Sequence, residues 1–125
     1  MTGYEVKIGF CSKELTAKER IQLKDTTDAI KLDDATKDGS IIITPDFYAE
    51  LIVHNEKAKD NPDYTQAIVI DTDGQKYVTG SNAFWDSFMN IADEMKGESE
   101  EWSIKVYRVP SKNYKGKDFI TCSIV

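Results

Sequence analysis

Apolar and polar positions alternate over Tyr4–Cys11, where Tyr4, Val6 and Ile8 are separated by Glu5 and Lys7, and this predicts a first extended segment. Thr16-Ala17-Lys18-Glu19 has the T-x-x-E form in which a threonine hydroxyl and a glutamate carboxylate satisfy each other's backbone donors, so a short helix is expected over Ala17–Lys24. From Asp25 to Lys37 the chain is polar, with Ile30 and Leu32 alternating, which predicts a loop holding a short extended piece before the punctuation at Asp38-Gly39. Ser40–Lys57 reads as one long strand bent near Pro45, because Ile41, Ile42 and Ile43 are β-branched and Leu51, Ile52 and Val53 resume after the proline. Asn55–Pro62 reads as an exposed loop.

Gln66–Ile70 and Lys76–Thr79 flank Asp71-Thr72-Asp73-Gly74-Gln75, and Asp-Gly between two β-rich runs predicts a hairpin. A calcium loop does not fit the same residues, since the glycine comes two positions early and the twelfth position is Asn82. Ser81-Asn82 then cap a helix whose Phe84, Phe88, Ile91, Ala92 and Met95 form one stripe, widened by Trp85 and Met89 and stopped at Gly97. The acidic bridge Glu98–Glu101 leads to two strands, Trp102–Val109 and Phe119–Val125. Three strands, a helix and two strands form the order of the OB-fold, a small barrel that binds oligonucleotides and oligosaccharides. The expected fold class is therefore mainly β with one main helix, an OB-like five-stranded barrel in a single domain, residues 1–39 forming an N-terminal extension and 40–125 the core. An α+β sandwich is the other architecture this order admits.

Charge changes the picture at the C-terminal end. The 125 residues carry a net −6, yet from Trp102 onward five cations (Lys105, Arg108, Lys112, Lys115, Lys117) face one anion, Asp118, so that segment holds +4 and the preceding 101 residues −10. Alternation in the last two strands places Ile104, Val106, Ile120, Cys122 and Ile124 in the barrel interior and Lys105, Tyr107, Phe119, Thr121 and Ser123 on the opposite face. Two aromatics and a lysine on an outward face, extended by Lys112, Tyr114, Lys115 and Lys117, supply what single-stranded nucleic acid needs: rings for bases and ammonium groups for phosphates. The blander alternative buries Tyr107 and Phe119 under the N-terminal extension. Phe47 and Tyr48 point to opposite sides of their strand, so one joins the core and the other is available; Trp85 is expected on the core face of its helix.

Short pieces of the chain also carry a resemblance. D-G-S-I-I at Asp38–Ile42, an aromatic ten residues on at Tyr48, D-G-x-x-Y at Asp73–Tyr77, the helix, I-K-V at Ile104–Val106 and the lysine-rich run around Ser111–Ile120 follow one another in order. In this respect residues 38–125 resemble the small single-stranded-DNA-binding proteins of phages and prophages of Gram-positive bacteria. The resemblance implies a non-catalytic protein that coats displaced single strands during phage genome replication in the host cytosol. It adds Tyr77 and Tyr48 to the candidate binding set of Lys105, Tyr107, Lys112, Tyr114, Lys115, Lys117 and Phe119. The expected partners are single-stranded DNA, further copies of the chain and replication proteins. This chain departs from the pattern in its longer N-terminal part and its longer loop at Asn55–Pro62.

Other functions have less support in the residues. Cys11 and Cys122 lack a C-x-x-C partner and His54 is the single histidine, so no metal or cofactor is expected. Neither a phosphate-binding glycine loop nor a nucleophile elbow is present, which argues against an enzyme. No apolar run reaches the roughly 18 residues of a membrane span, so a membrane partner is not expected. The sharper rival is an acidic phage inhibitor that mimics DNA and blocks a host DNA-binding enzyme, and the −10 of the first 101 residues is what favours it.

Overall fold

A computed structural model describes residues 4–57, 62–98, 100–110 and 118–125. β1 (Tyr4–Cys11) leads to α1 (Ala17–Lys24), capped as its T-x-x-E start requires: the Glu19 N–H donates to Thr16 Oγ1 (3.2 Å) and the Thr16 N–H to Glu19 Oε1 (2.9 Å). The extended piece expected in the following polar stretch is β2 (Ile30–Lys31). It runs into a single turn, α2 (Leu32–Ala35), that periodicity did not predict; its anchor is Leu32, 1% exposed.

The long strand bent at Pro45 is two strands, β3 (Ile41–Ile43) and β4 (Pro45–Asn55), and a register irregularity between Pro45 and Phe47 marks the bend. β5 (Asp63–Asp71) and β6 (Lys76–Thr79) form the expected hairpin. Its turn is organised by Asp71, whose Oδ1 accepts from the Asp73 N–H (2.9 Å) and the Gln75 N–H (2.8 Å), while Gly74 takes φ +85°. α3 (Asn82–Met95) is capped by Ser81 Oγ, which accepts from the Phe84 N–H (3.1 Å), and ends before Gly97 at φ +89°. β7 (Ile104–Pro110) and β8 (Asp118–Ile124) complete the chain.

The chain is mainly β, with its strands in two sheets ordered β1-β4-β5-β6-β2 and β3-β7-β8. The OB-like order is present, the β3–β4 strand passing from one sheet to the other at Thr44, where Thr44 Oγ1 and Ser103 Oγ share a hydrogen bond of 2.6 Å. Among the described residues no backbone ladder closes the ring between β6 and β8. The edge of β6 is occupied by β2, in parallel register Ile30↔Tyr77 and Lys31↔Val78. α3 runs beside β8, with Ser81 Oγ donating to the Ile120 carbonyl (3.2 Å) and Ser87 Oγ bonded to Thr121 Oγ1 (2.9 Å). A helix over a strand edge satisfies groups that another strand would otherwise take.

Two apolar layers flank the five-stranded sheet. Between the sheets, Phe84, Phe88 and Ala92 of α3 meet Ala67, Val69, Ile43, Ile104, Val106, Ile120, Cys122 and Leu32. On the opposite face, Leu23 of α1 lies with Ala49, Leu51, Ile68, Ile70 and Val78, and Val6, Ile8, Leu15 and Phe47 pack around them. Burial on both faces explains why Ala67-Ile68-Val69-Ile70 reads as an unbroken apolar run. At about 1.5–3 kcal/mol for each fully buried aliphatic or Phe side chain, these layers dominate the stabilisation of the fold. The N-terminal residues add β1 along the β4 edge, in register Tyr4↔Asn55 to Cys11↔Ala49, and place α1 over the sheet.

Candidate nucleic-acid interface

The three-stranded sheet is buried on one face only. Ile42, Lys105 and Ser123 stand abreast across β3, β7 and β8, Tyr107 pairs with Thr121 in the next outward row, and Val109 with Phe119 in the one after. Their neighbours Ile43, Ile104, Val106, Ile120 and Cys122 all point into the core, whereas Ile124, expected with them, is 50% exposed at the end of β8. This alternation leaves an outward strip with Ile42 57% and Phe119 39% exposed, Lys105 and Ser123 exposed, and Tyr107 half-buried. The Tyr107 hydroxyl is bonded to Ser123 Oγ at 2.7 Å, and Thr121 is held by Ser87. The strip therefore offers two rings and a cation, and among the described residues β1 and α1 do not cover them, since both pack on the other sheet.

The remaining candidates lie elsewhere. Tyr48 is part of an aromatic cluster against α3, edge-on to Phe88 with centroids 4.9 Å apart and near Phe10 and Trp85 at 6.3 and 6.5 Å. Burial, with Asp93 adding to it, holds its phenol above the usual tyrosine value. Tyr77 packs against the core between the sheets, and burial, then Asp71 and Asp73, raises its phenol likewise. Neither ring shares the strip with Lys105, because both belong to the five-stranded sheet and turn toward its inner layer. Phe47 lies in the opposite layer under the Lys13 ammonium, 4.6 Å from its centroid, so Phe47 and Tyr48 both pack inward. Lys112, Tyr114, Lys115 and Lys117 lie outside the described residues.

Two cations serve the fold instead of a ligand. Arg108 is exposed, and its Nε donates to Thr36 Oγ1 (3.1 Å) and its Nη2 to the Asp33 carbonyl, which ties α2 to the smaller sheet. Lys76 donates to the Gln22 and Asp25 carbonyls at the C-terminal end of α1, the second at 2.6 Å. Burial lowers its pKa, with Asp25 and Asp28 opposing. A lysine at a helix C-terminus complements the dipole there and adds a donor to the last carbonyls. Lys76 thereby holds α1 over the outer face of β5 and β6, the face that OB-folds commonly offer to oligonucleotides. Here that face is an aliphatic packing layer.

Sequence reasoning missed Ile42 and the Tyr107–Ser123 bond. Ile42 was visible as the middle of three isoleucines, and the neighbours on both sides turn inward. The hydroxyl pair required the register of β7 on β8, which no single strand reveals. Among the described residues no group of three or more His, Cys, Asp and Glu side chains is placed to hold a metal ion. Cys122 is buried, and burial pushes its thiol up to about 12, far from the range of a reactive thiolate. No described helix is long and apolar enough to cross a membrane.

A family model described as phage single-stranded DNA-binding protein matches residues 16–125. The match begins at Thr16, the cap of α1, so it takes in α1 and both sheets apart from β1. No curated protein and no solved structure matches the chain.

Proposed function

The chain belongs to the phage single-stranded DNA-binding protein family, and from that premise we propose that it coats single strands, without marked sequence preference, through the outer strip of β3, β7 and β8. Proteins of this family are of a non-enzymatic kind. Family membership favours strand binding over a DNA mimic. The observation that carries the choice of surface is the co-location of Lys105, Tyr107 and Phe119 on an outward sheet face that no other described element covers. The lysine-rich connection Lys112, Lys115 and Lys117 continues from that strip in sequence and is assigned to the same interface, with Tyr114.

The physics of such a surface suits coating. Bases stack on aromatic faces for roughly 1–3 kcal/mol each irrespective of sequence, and ammonium groups follow the phosphates. A net charge of −6 opposes DNA binding at long range, but screening over about 8 Å at physiological salt lets a local cationic segment act. Modest affinity per molecule follows, so contacts between neighbouring copies along the strand are part of the proposal. We assign the OB-like unit to residues 40–125 and treat 1–39 as an addition to it, within one domain. The protein works in the host cytosol, with replication proteins as further partners and no catalytic role.

Fluorescence anisotropy with labelled oligo(dT), a mixed-sequence single strand and a duplex, at low and physiological salt, tests this. Similar affinity for both single strands, weak duplex binding and a log–log fall with salt are expected. Absence of single-strand binding at low salt, or a preference for duplex, contradicts it.

A further inference from the structure

We propose that Ser123 is a positioning residue for strand binding: its hydroxyl lays the Tyr107 ring along the outer strip and holds it as a stacking platform before any base arrives. This rests on the strip being the strand-binding surface. It concerns how that surface is prepared.

Register supplies the geometry. Tyr107 stands opposite Thr121, not opposite Ser123, which lies one row away beside Lys105. For its hydroxyl to reach Ser123 Oγ at 2.7 Å, the phenol must lean along the sheet toward the Lys105 row. The nearer hydroxyl, on Thr121, is engaged by Ser87 (2.9 Å), which leaves Ser123 as the anchor on this face. A leaning ring lies against the sheet with its outer face toward solvent, consistent with Tyr107 being half-buried while Lys105 and Ser123 are exposed.

Phe119 occupies the diagonal position on the other side of Tyr107, opposite Val109. Diagonal partners in an antiparallel pair are about 7–8 Å apart. Because Tyr107 leans away from Phe119, the two rings do not collapse onto each other. They present two successive platforms, with the Lys105 ammonium at the Tyr107 end to meet a phosphate. An exposed tyrosine with free torsions would lose rotamer freedom on binding, whereas one already held by Ser123 has lost it beforehand, which is preorganisation.

The test measures oligo(dT) affinity for Ser123→Ala, Ser123→Thr, Tyr107→Phe, the Ser123→Ala/Tyr107→Phe double variant, Tyr107→Ala and Lys105→Ala. Ser123→Ala and Tyr107→Phe should each weaken binding about 3- to 10-fold, the cost of ordering one side chain. The double variant should be no weaker than either single, because both remove the same bond. Tyr107→Ala should lose more than either, and Ser123→Thr should restore native affinity. Thermal stability and the salt slope of Ser123→Ala should match the native protein, since no buried group or phosphate contact is removed. Native-like affinity of Ser123→Ala, or losses that add in full in the double variant, would overturn the proposal while Tyr107→Ala and Lys105→Ala still bind weakly. If those two also bind like the native chain, the strip itself is not the binding surface and the proposal fails with it.

Discussion

The two sheets treat their faces differently. Over β4, β5 and β6 the five-stranded sheet is packed on both sides, with Ala67 and Val69 against α3 and the smaller sheet and Ala49, Leu51 and Ile68 on the side of α1, although at its β1 end Ile52 is 45% exposed. The three-stranded sheet is packed on one side and carries Ile42, Lys105, Tyr107 and Phe119 on the other. Where a β-sheet gives both faces to the core it stabilises the molecule but leaves no face there for a ligand. The proposed DNA surface is therefore on the sheet whose outer face the described residues leave uncovered, while the face most used by such folds is closed by an eight-residue helix and a lysine.

Substitutions can separate the two roles. Leu51→Ala, in the doubly packed sheet, should cost about 2–5 kcal/mol of stability, read from chemical denaturation, with the affinity of the folded fraction for oligo(dT) unchanged. Phe119→Ala should do the reverse, lowering affinity by about 1–3 kcal/mol while stability shifts by less than about 1 kcal/mol. A stability loss in the second variant as large as in the first would erase the distinction. Lys105→Ala should weaken binding to all single strands by a similar factor and reduce the slope of log affinity against log salt by about one.

The smallest effect concerns the far end of the larger sheet. His54 Nδ1 lies 2.6 Å from Asp63 Oδ1, and that hydrogen bond raises its pKa against desolvation, with the Asp63 and Glu56 charges adding to the rise. A raised folded-state value means the contribution to stability is complete below the unfolded pKa of about 6.5 and is lost as pH rises through the folded value. Native protein and His54→Gln should therefore differ more in melting temperature at about pH 6 than at about pH 8, with oligo(dT) affinity unaffected. A difference that grows toward alkaline pH would contradict the assigned pair.

Much of this contrast was legible in residue order. The unbroken run Ala67–Ile70 marks a strand buried on both faces, and Ile104-Lys105-Val106-Tyr107 alternates as a half-exposed one should. The α3 stripe and the Asp-Gly turn were equally plain. Arg108 and Lys76 were not, because each binds backbone carbonyls 75 and 51 to 54 residues away in sequence, and a carbonyl has no side-chain signature. For the same reason α2 and the parallel pairing of β2 on β6 were hidden: a single turn and a two-residue strand are held by tertiary contacts at Leu32 and Tyr77 and not by local pattern. Tyr48 and Tyr77 show the limit of motif spacing, which aligns aromatics along the chain without saying which layer receives them.

The most direct measurement is the map of backbone amide shifts on titrating oligo(dT) into the labelled protein. Perturbations should concentrate at Ile42, Lys105, Tyr107, Phe119 and Ser123, leaving Ile68, Ile70, Val78 and α1 unmoved. Perturbations centred on β5, β6 and α1, with the outer strip of β3, β7 and β8 silent, would contradict the proposed surface.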